Sequence, residues 1–149
     1  MGIIEHIFVA PRRGAPMVAL REVEAIAAEG LRGDRYLDPA MRRSPGDQIT
    51  LIEAEHIDSF VSVTGLPLGP GMPRRNIVTR HVRLNAWVGR RFQLGPVTLQ
   101  GIELCEPCRL LARRTFPEAL SFFPGKGGLR ATIVTGGVIT VGDSVGAQD

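Results

Sequence analysis

The stretch Arg91–Cys108, RFQLGPVTLQGIELCEPC, decides the fold class. Two β-prone runs, Arg91 to Leu94 and Val97 to Glu103, flank the turn dipeptide Gly95-Pro96, which predicts two strands joined by a tight hairpin. The pattern repeats toward the C-terminus. Leu129 to Val134 and Val138 to Val141 flank Gly136-Gly137, predicting a second hairpin. Gly142-Asp143 then turns the chain into a short strand at Ser144-Val145. Between the two pairs, Pro107 to Thr115 reads as a helix.

Toward the N-terminus the same alternation of short apolar runs and turns continues. Ile3 to Val9 reads as a strand, Pro11 to Pro16 as a loop, and Met17 to Ala27 as one or two strands. Gly30 to Arg35 breaks that run, Pro39 to Gly46 is a polar loop, and Gln48 to Ile52 is β-prone. The period then changes: Ile57, Phe60, Val61 and Thr64 follow i, i+3, i+4, i+7 spacing, and Gly65 offers a stop, so a helix is expected there. Leu66 to Pro73 is a Gly- and Pro-rich loop, and Arg75 to Thr79 reads as a strand. Many short strands with regular turns and few helices predict a mainly β barrel with two or three peripheral helices. No internal repeat or linker divides the chain, so residues 1–149 are read as a single domain.

Composition narrows the function classes. Of 149 residues, 44% are hydrophobic and 22% charged, the mix of a soluble chain with a real core rather than a disordered one. The net charge of +3 is mild, and the arginines are scattered rather than gathered into a stripe with aromatics between them. One Trp and one Tyr make a poor base-stacking platform, so nucleic acid is not an expected partner. No apolar run approaches membrane-spanning length, and Met1 to Pro11 lacks the pattern of a signal peptide. The expected setting is the cytoplasm, with reduced thiols and no membrane contact.

The only two cysteines, Cys105 and Cys108, lie in Cys105-Glu106-Pro107-Cys108. A thioredoxin-like reading wants this motif beside a βαβ unit, and a structural zinc site normally takes four N or S ligands. Neither is well met after a β hairpin in a chain with three histidines, His6, His56 and His81. A buried free Cys behaves as a small hydrophobe, the reading favoured for Cys105. Cys108 differs. Proline is favoured at the first position of a helix, so Cys108 is expected in the first turn, where free N–H groups and the helix dipole favour the thiolate. Arg109 and Arg113 add positive charge nearby.

Three further segments carry polar groups. Gly30-Leu31-Arg32-Gly33-Asp34-Arg35-Tyr36 is a turn whose Asp34 and Arg35 either pair or line a pocket. Arg74-Arg75-Asn76 opens a β-prone run, and there an anion site and an exposed arginine pair are evenly matched; Arg suits phosphate or carboxylate by its fork of donors. Gly125-Lys126-Gly127-Gly128-Leu129-Arg130 lacks the spacing of a phosphate-binding P-loop and reads as a turn, with Arg130 as an anion contact.

Taken in order, these segments resemble the MOSC family, named for the C-terminal domain of molybdenum-cofactor sulfurases. The resemblance rests on Gly30 to Tyr36, Thr50-Leu51-Ile52-Glu53, Arg75-Asn76-Ile77-Val78-Thr79, Leu84-Asn85 and Gly89-Arg90-Arg91-Phe92. It continues through Glu103 to Cys108, Gly128-Leu129-Arg130-Ala131, Gly136-Gly137 and Val141-Gly142-Asp143. It implies a MOSC-type β-barrel and sulfur or molybdenum-cofactor chemistry. The family's functional cysteine follows a proline and maps onto Cys108, implied as catalytic residue and molybdenum ligand. Arg35, Arg75, Asn76 and Arg130 are the expected holders of the anionic molybdopterin or substrate.

The expected activity is that of a molybdenum-dependent oxidoreductase acting on N-hydroxylated compounds with a redox partner, or of a sulfur carrier served by a sulfur-donor protein. The rival readings are a non-catalytic module that delivers sulfur or cofactor, and a thiol or zinc protein using both cysteines. These residues include no pyridoxal phosphate site, so mobilising sulfur from free cysteine is not expected of them. Nor do they include the N-terminal domain that helps enclose the cofactor in the reductases of the family.

Overall fold

The computed structural model describes residues 1–107 and 109–148. Eleven strands form two sheets: β1 Gly2–Val9, β2 Val18–Leu20, β3 Glu22–Ile26, β4 Gly30–Leu31, β5 Ile49–Glu53, β6 Ile77–Arg80, β7 Arg91–Leu94, β8 Val97–Leu104, β9 Leu129–Thr135, β10 Gly137–Thr140 and β11 Ser144–Ala147. The helices are α1 Ala54–Thr64, α2 Arg109–Arg114 and α3 Ala119–Phe122, with short 3₁₀ turns at Arg35–Leu37, Pro39–Met41, Pro45–Asp47 and Leu84–Trp87.

The large sheet runs β11-β7-β8-β9-β5-β6-β1 and closes on itself through a β1–β11 pairing, with β2 added outside β1. The expected barrel with peripheral helices is therefore present, as a closed seven-stranded barrel. The Gly95-Pro96 hairpin is also present, with Leu94 opposite Val97.

Alternation along the strands sorts the core in two. Leu129, Ala131 and Ile133 of β9 point into the barrel with Ile49, Leu51, Ile77, Phe92, Leu94 and Leu99. In β1 a bulge between Ile4 and His6 resets the alternation, so that Ile4 and Ile7 both reach this interior. A second cluster lies outside the barrel wall, where Phe8, Ile52 and Val78 meet Ala54, Ile57 and Phe60 of α1 and Ala119 and Phe123 around α3. Sandwiched between these cores, every residue of β5 is buried. The buried stripe of α1 is narrower than its spacing suggested: Val61 is left exposed. The helix stops at Gly65, whose φ of 74° gives the left-handed end.

The small sheet, β10-β3-β4, corrects one expectation. Gly136-Gly137 does not turn β9 back upon β10; β10 pairs with β3 instead. The glycine is needed for close approach, since a Cβ on Gly136 would lie 2.6 Å from the carbonyl oxygen of Ala25.

Among the described strands, β5 and β6 are the one pair that runs parallel. Parallel neighbours require a crossover, supplied here by α1 and the segment 65–76 that carries the chain back to the start of β6. Among the described residues, no helix is long and apolar enough to cross a membrane.

Candidate functional site

The crossover brings Asn76 beside Thr50, where the Asn76 N–H donates to the Thr50 carbonyl at 3.1 Å. Thr50 is opposite Arg130, and Arg130 is opposite Glu103. Asn76, immediately before β6, thus lies in one row with Thr50 of β5, Arg130 of β9 and Glu103 of β8. Because Leu129 and Ala131 point inward, Arg130 points away from the interior, and the site lies on the outer wall of the barrel.

A cavity of about 170 Å³ opens over this row. Its walls are Arg35, Tyr36, Thr50, the segment 72–76, Glu106, Leu110, Leu111, Arg114 and Arg130. The four residues expected to hold an anion, Arg35, Arg75, Asn76 and Arg130, all line it. So do Arg74 and Arg114, making five arginines against one lining carboxylate, Glu106.

Their side chains are held in different ways. Asp34 is buried and accepts from the Ala10 N–H at 2.9 Å and the Tyr36 N–H at 3.3 Å, so it caps the Arg35–Leu37 turn rather than pairing with Arg35. Arg35 lies over the Tyr36 ring, 4.3 Å from its centroid. Arg75 Nε donates to the Gly127 carbonyl at 3.0 Å and Nη1 to the Pro73 carbonyl at 3.1 Å, with no carboxylate partner among the described residues. Arg130 pairs with buried Asp47 at 2.9 Å.

Asn76 reaches the cavity wall, but its amide is committed to the fold. Its oxygen accepts from Thr50 N–H at 3.0 Å and Thr50 Oγ1 at 3.2 Å, and its Nδ2 donates to the Phe8 carbonyl at 3.0 Å. It joins β1, β5 and β6, which leaves little of it for a ligand.

Arg74 is the residue that sequence reasoning undervalued. Its φ of 64° is a left-handed backbone that a residue with a Cβ adopts at a cost. Its Nε and Nη2 are buried and have no hydrogen-bond partner among the described residues. Burial, then the like charges of Arg114 and Arg35, make its protonated form less favourable than usual. An unpaired buried donor costs free energy until something accepts from it. The signal in the sequence was the Arg74-Arg75 pair itself; which of the two would lack a partner depends on the backbone turn.

Cys105 is 1% exposed, and burial pushes its thiol up, against the pull of Arg75 and Arg130. The segment 125–128 clasps its loop: the Cys105 N–H donates to Gly128 O at 2.8 Å, and the Gly125 N–H donates to Glu106 Oε1 at 3.1 Å. A Cβ on Gly127 would overlap the Cys105 carbonyl oxygen, so this approach requires glycine. Cys108 lies outside the described residues. Among the described residues, no group of three His, Cys, Asp or Glu side chains is placed to hold a metal ion.

A family profile described as the MOSC domain matches residues 38–146. No curated protein is a significant sequence match. Among solved structures, the YuaD protein from Bacillus subtilis superposes with a TM-score of 0.79 at 15% identity, covering 97% of this chain and 94% of that one. YiiM from Geobacillus stearothermophilus gives 0.80 at 17% identity, covering 100% of this chain and 76% of that one. YiiM from Escherichia coli gives 0.69 at 17% identity, covering 99% and 70%. At such identities the likeness is one of fold, whereas the family profile spans well over half of the sequence. The chain belongs to the MOSC domain family.

Proposed function

We propose that this domain binds the molybdenum cofactor through the arginine cavity and acts through Cys108, as a molybdenum ligand or as a carrier of sulfur. The observation that carries the reading is the donor set: five arginines, one of them with buried unpartnered nitrogens, around a small cavity with one carboxylate in its wall. Such a set suits a phosphate-bearing anion, because charge-assisted N–H donors are strongest toward oxyanions. When bound, the cofactor supplies the metal centre at which oxygen or sulfur is exchanged.

The protein's part is to bind and orient. Arg75, fixed through Nε and Nη1, keeps Nη2 for a ligand oxygen. Arg35 offers the edge of a guanidinium stacked on Tyr36, and Arg74 adds a positive charge to the wall, its Nε and Nη2 buried and without partners among the described residues. Cys108 would supply the soft thiolate. As a sulfur carrier, its thiolate would attack the terminal sulfur of a donor protein's persulfide, and the donor thiolate would leave.

The test is reconstitution. The purified protein is incubated with molybdenum cofactor, desalted, and assayed for bound molybdenum and pterin fluorescence. One equivalent retained by the parent and by Cys105→Ser, with molybdenum lost from Cys108→Ser, is the expected result. Pterin retained equally by the parent and by an Arg74→Gln, Arg75→Gln double variant would refute the cavity as its site.

A further inference from the structure

A second cleft, of about 460 Å³, adjoins the arginine cavity. Its walls are Gly14, Met17, Gly71, Met72, Arg74 and Arg114. Three of these, Met72, Arg74 and Arg114, also line the first cavity, so one wall serves both.

The two sides of this cleft differ chemically. One side is cationic. Neither Arg74 nor Arg114 has a carboxylate within ion-pair distance among the described residues. The other side is apolar. Met17 and Met72 pack against the outer core, and Gly71 lies close against the Phe8 ring, where a Cβ would come within 3.0 Å of it. Met72 is held in place by the Gly69 N–H, which donates to its sulfur at 3.1 Å. Thioethers are polarizable and make favourable contacts with aromatic rings. Paired cations beside a thioether floor complement a molecule with an oxyanion at one end and a flat apolar body at the other.

We propose that this cleft is a substrate subsite for a compact aromatic oxyanion: a ring lies on Met17 and Met72, and its carboxylate, phosphate or sulfonate meets Arg74 and Arg114. The assignment rests on the first cavity being the cofactor site. Arg75 and Arg130 then serve the cofactor alone, while the shared wall faces both ligands and sets the substrate beside the cofactor.

The experiment uses the whole protein and three probes, 2-naphthoate, its neutral amide 2-naphthamide, and inorganic phosphate, with binding followed by titration calorimetry. The parent should bind naphthoate at least about 10-fold more tightly than naphthamide, the value of one well-placed charge-assisted contact. Arg114 is exposed at the end of α2, so Arg114→Gln should fold normally and bring naphthoate close to naphthamide. Met17→Trp should fill the cleft and remove naphthoate binding while phosphate still binds.

Naphthoate that binds no better than naphthamide, or that ignores both substitutions, overturns the proposal. So does a Met17→Trp protein that loses phosphate and naphthoate together, because the two cavities would then be one site. Naphthoate binding of the expected kind in a parent protein that ignores phosphate would support the cleft and count against the oxyanion cavity.

Discussion

Replacing Arg74 with glycine should make the ligand-free protein more stable while weakening its hold on oxyanions. The φ of 64° at Arg74 favours glycine, and relieving it is worth about 1–2 kcal/mol. Removing buried donors that lack partners is worth about 1–3 kcal/mol more. Against this, glycine costs about 0.5–1 kcal/mol in chain entropy, and losing two packed methylenes of the arginine stem costs about 1.6 kcal/mol. The balance is a gain of about 1 kcal/mol, or roughly 2–4 °C in Tm for a chain of this length. Phosphate at 100 times its dissociation constant should then stabilise the parent by about 2.7 kcal/mol. A variant that binds about tenfold more weakly gains only about 1.4 kcal/mol under the same conditions. The variant's advantage should therefore disappear as phosphate is added. Scanning calorimetry of both proteins over a phosphate series reads this directly. An Arg74→Gly protein that is less stable without phosphate, yet gains as much from it as the parent, would show that Arg74 is a packing residue and not an anion receptor.

Three further outcomes are expected. In a Cys108→Ser background, Cys105 should alkylate on the order of 100-fold more slowly in the folded than in the urea-unfolded protein, because it is buried with a raised thiol pKa; comparable rates would contradict its assignment as a structural cysteine. Asn76→Ala should cost about 3 kcal/mol and lower Tm by roughly 10 °C, since it leaves partners in two strands, Thr50 of β5 and Phe8 of β1, unsatisfied; a shift under about 2 °C in thermal unfolding would free that amide for a ligand role. Burial raises the Glu53 carboxyl above its ordinary 4.5, opposed by His56 and the Leu84 N–H. A raised acid contributes stability that is fully present below 4.5 and lost as pH rises through the folded-state value. The stability of Glu53→Gln relative to the parent should accordingly rise between pH 4 and pH 7 by urea titration, and a constant difference would remove Glu53 as the cause.

The barrel was legible because its signals are local. Gly95-Pro96 turns the chain whatever lies around it, and the helical spacing through Ile57 and Phe60 ends at Gly65 as expected. Gly136-Gly137 was misread because a glycine pair that permits a turn also permits a close pass beneath Ala25, and only the sheet pairing distinguishes the two. Arg35, Arg75 and Arg130, singled out by residue type and flanking motif, come together in the wall of one cavity. Arg74 was weighed only as one of an evenly balanced arginine pair, and Arg114 was missed, because a cation without a partner looks, in sequence, like any surface cation. Asn76 was weighed as a ligand although its amide is a fastening between strands, a distinction that depends on where Thr50 and Phe8 fall in space.

The single parallel pairing in the barrel has a consequence for how this site could vary. Antiparallel neighbours need only a short turn, but β5 and β6 oblige the chain to travel the whole height of the wall and come back. After α1, the return is made by residues 65–76, which have no place in any ladder. That passage carries Met72, Arg74 and Arg75 to the cavity on its way to β6. It behaves as an interchangeable sleeve on a fixed spindle: so long as Leu68 stays in the outer core and Asn76 keeps its bonds to Thr50 and Phe8, its exposed positions and charges can be rewritten without disturbing the strand registers. Grafting passages of other composition between Gly65 and Asn76 would retune what the outer wall accepts while the barrel beneath stays the same.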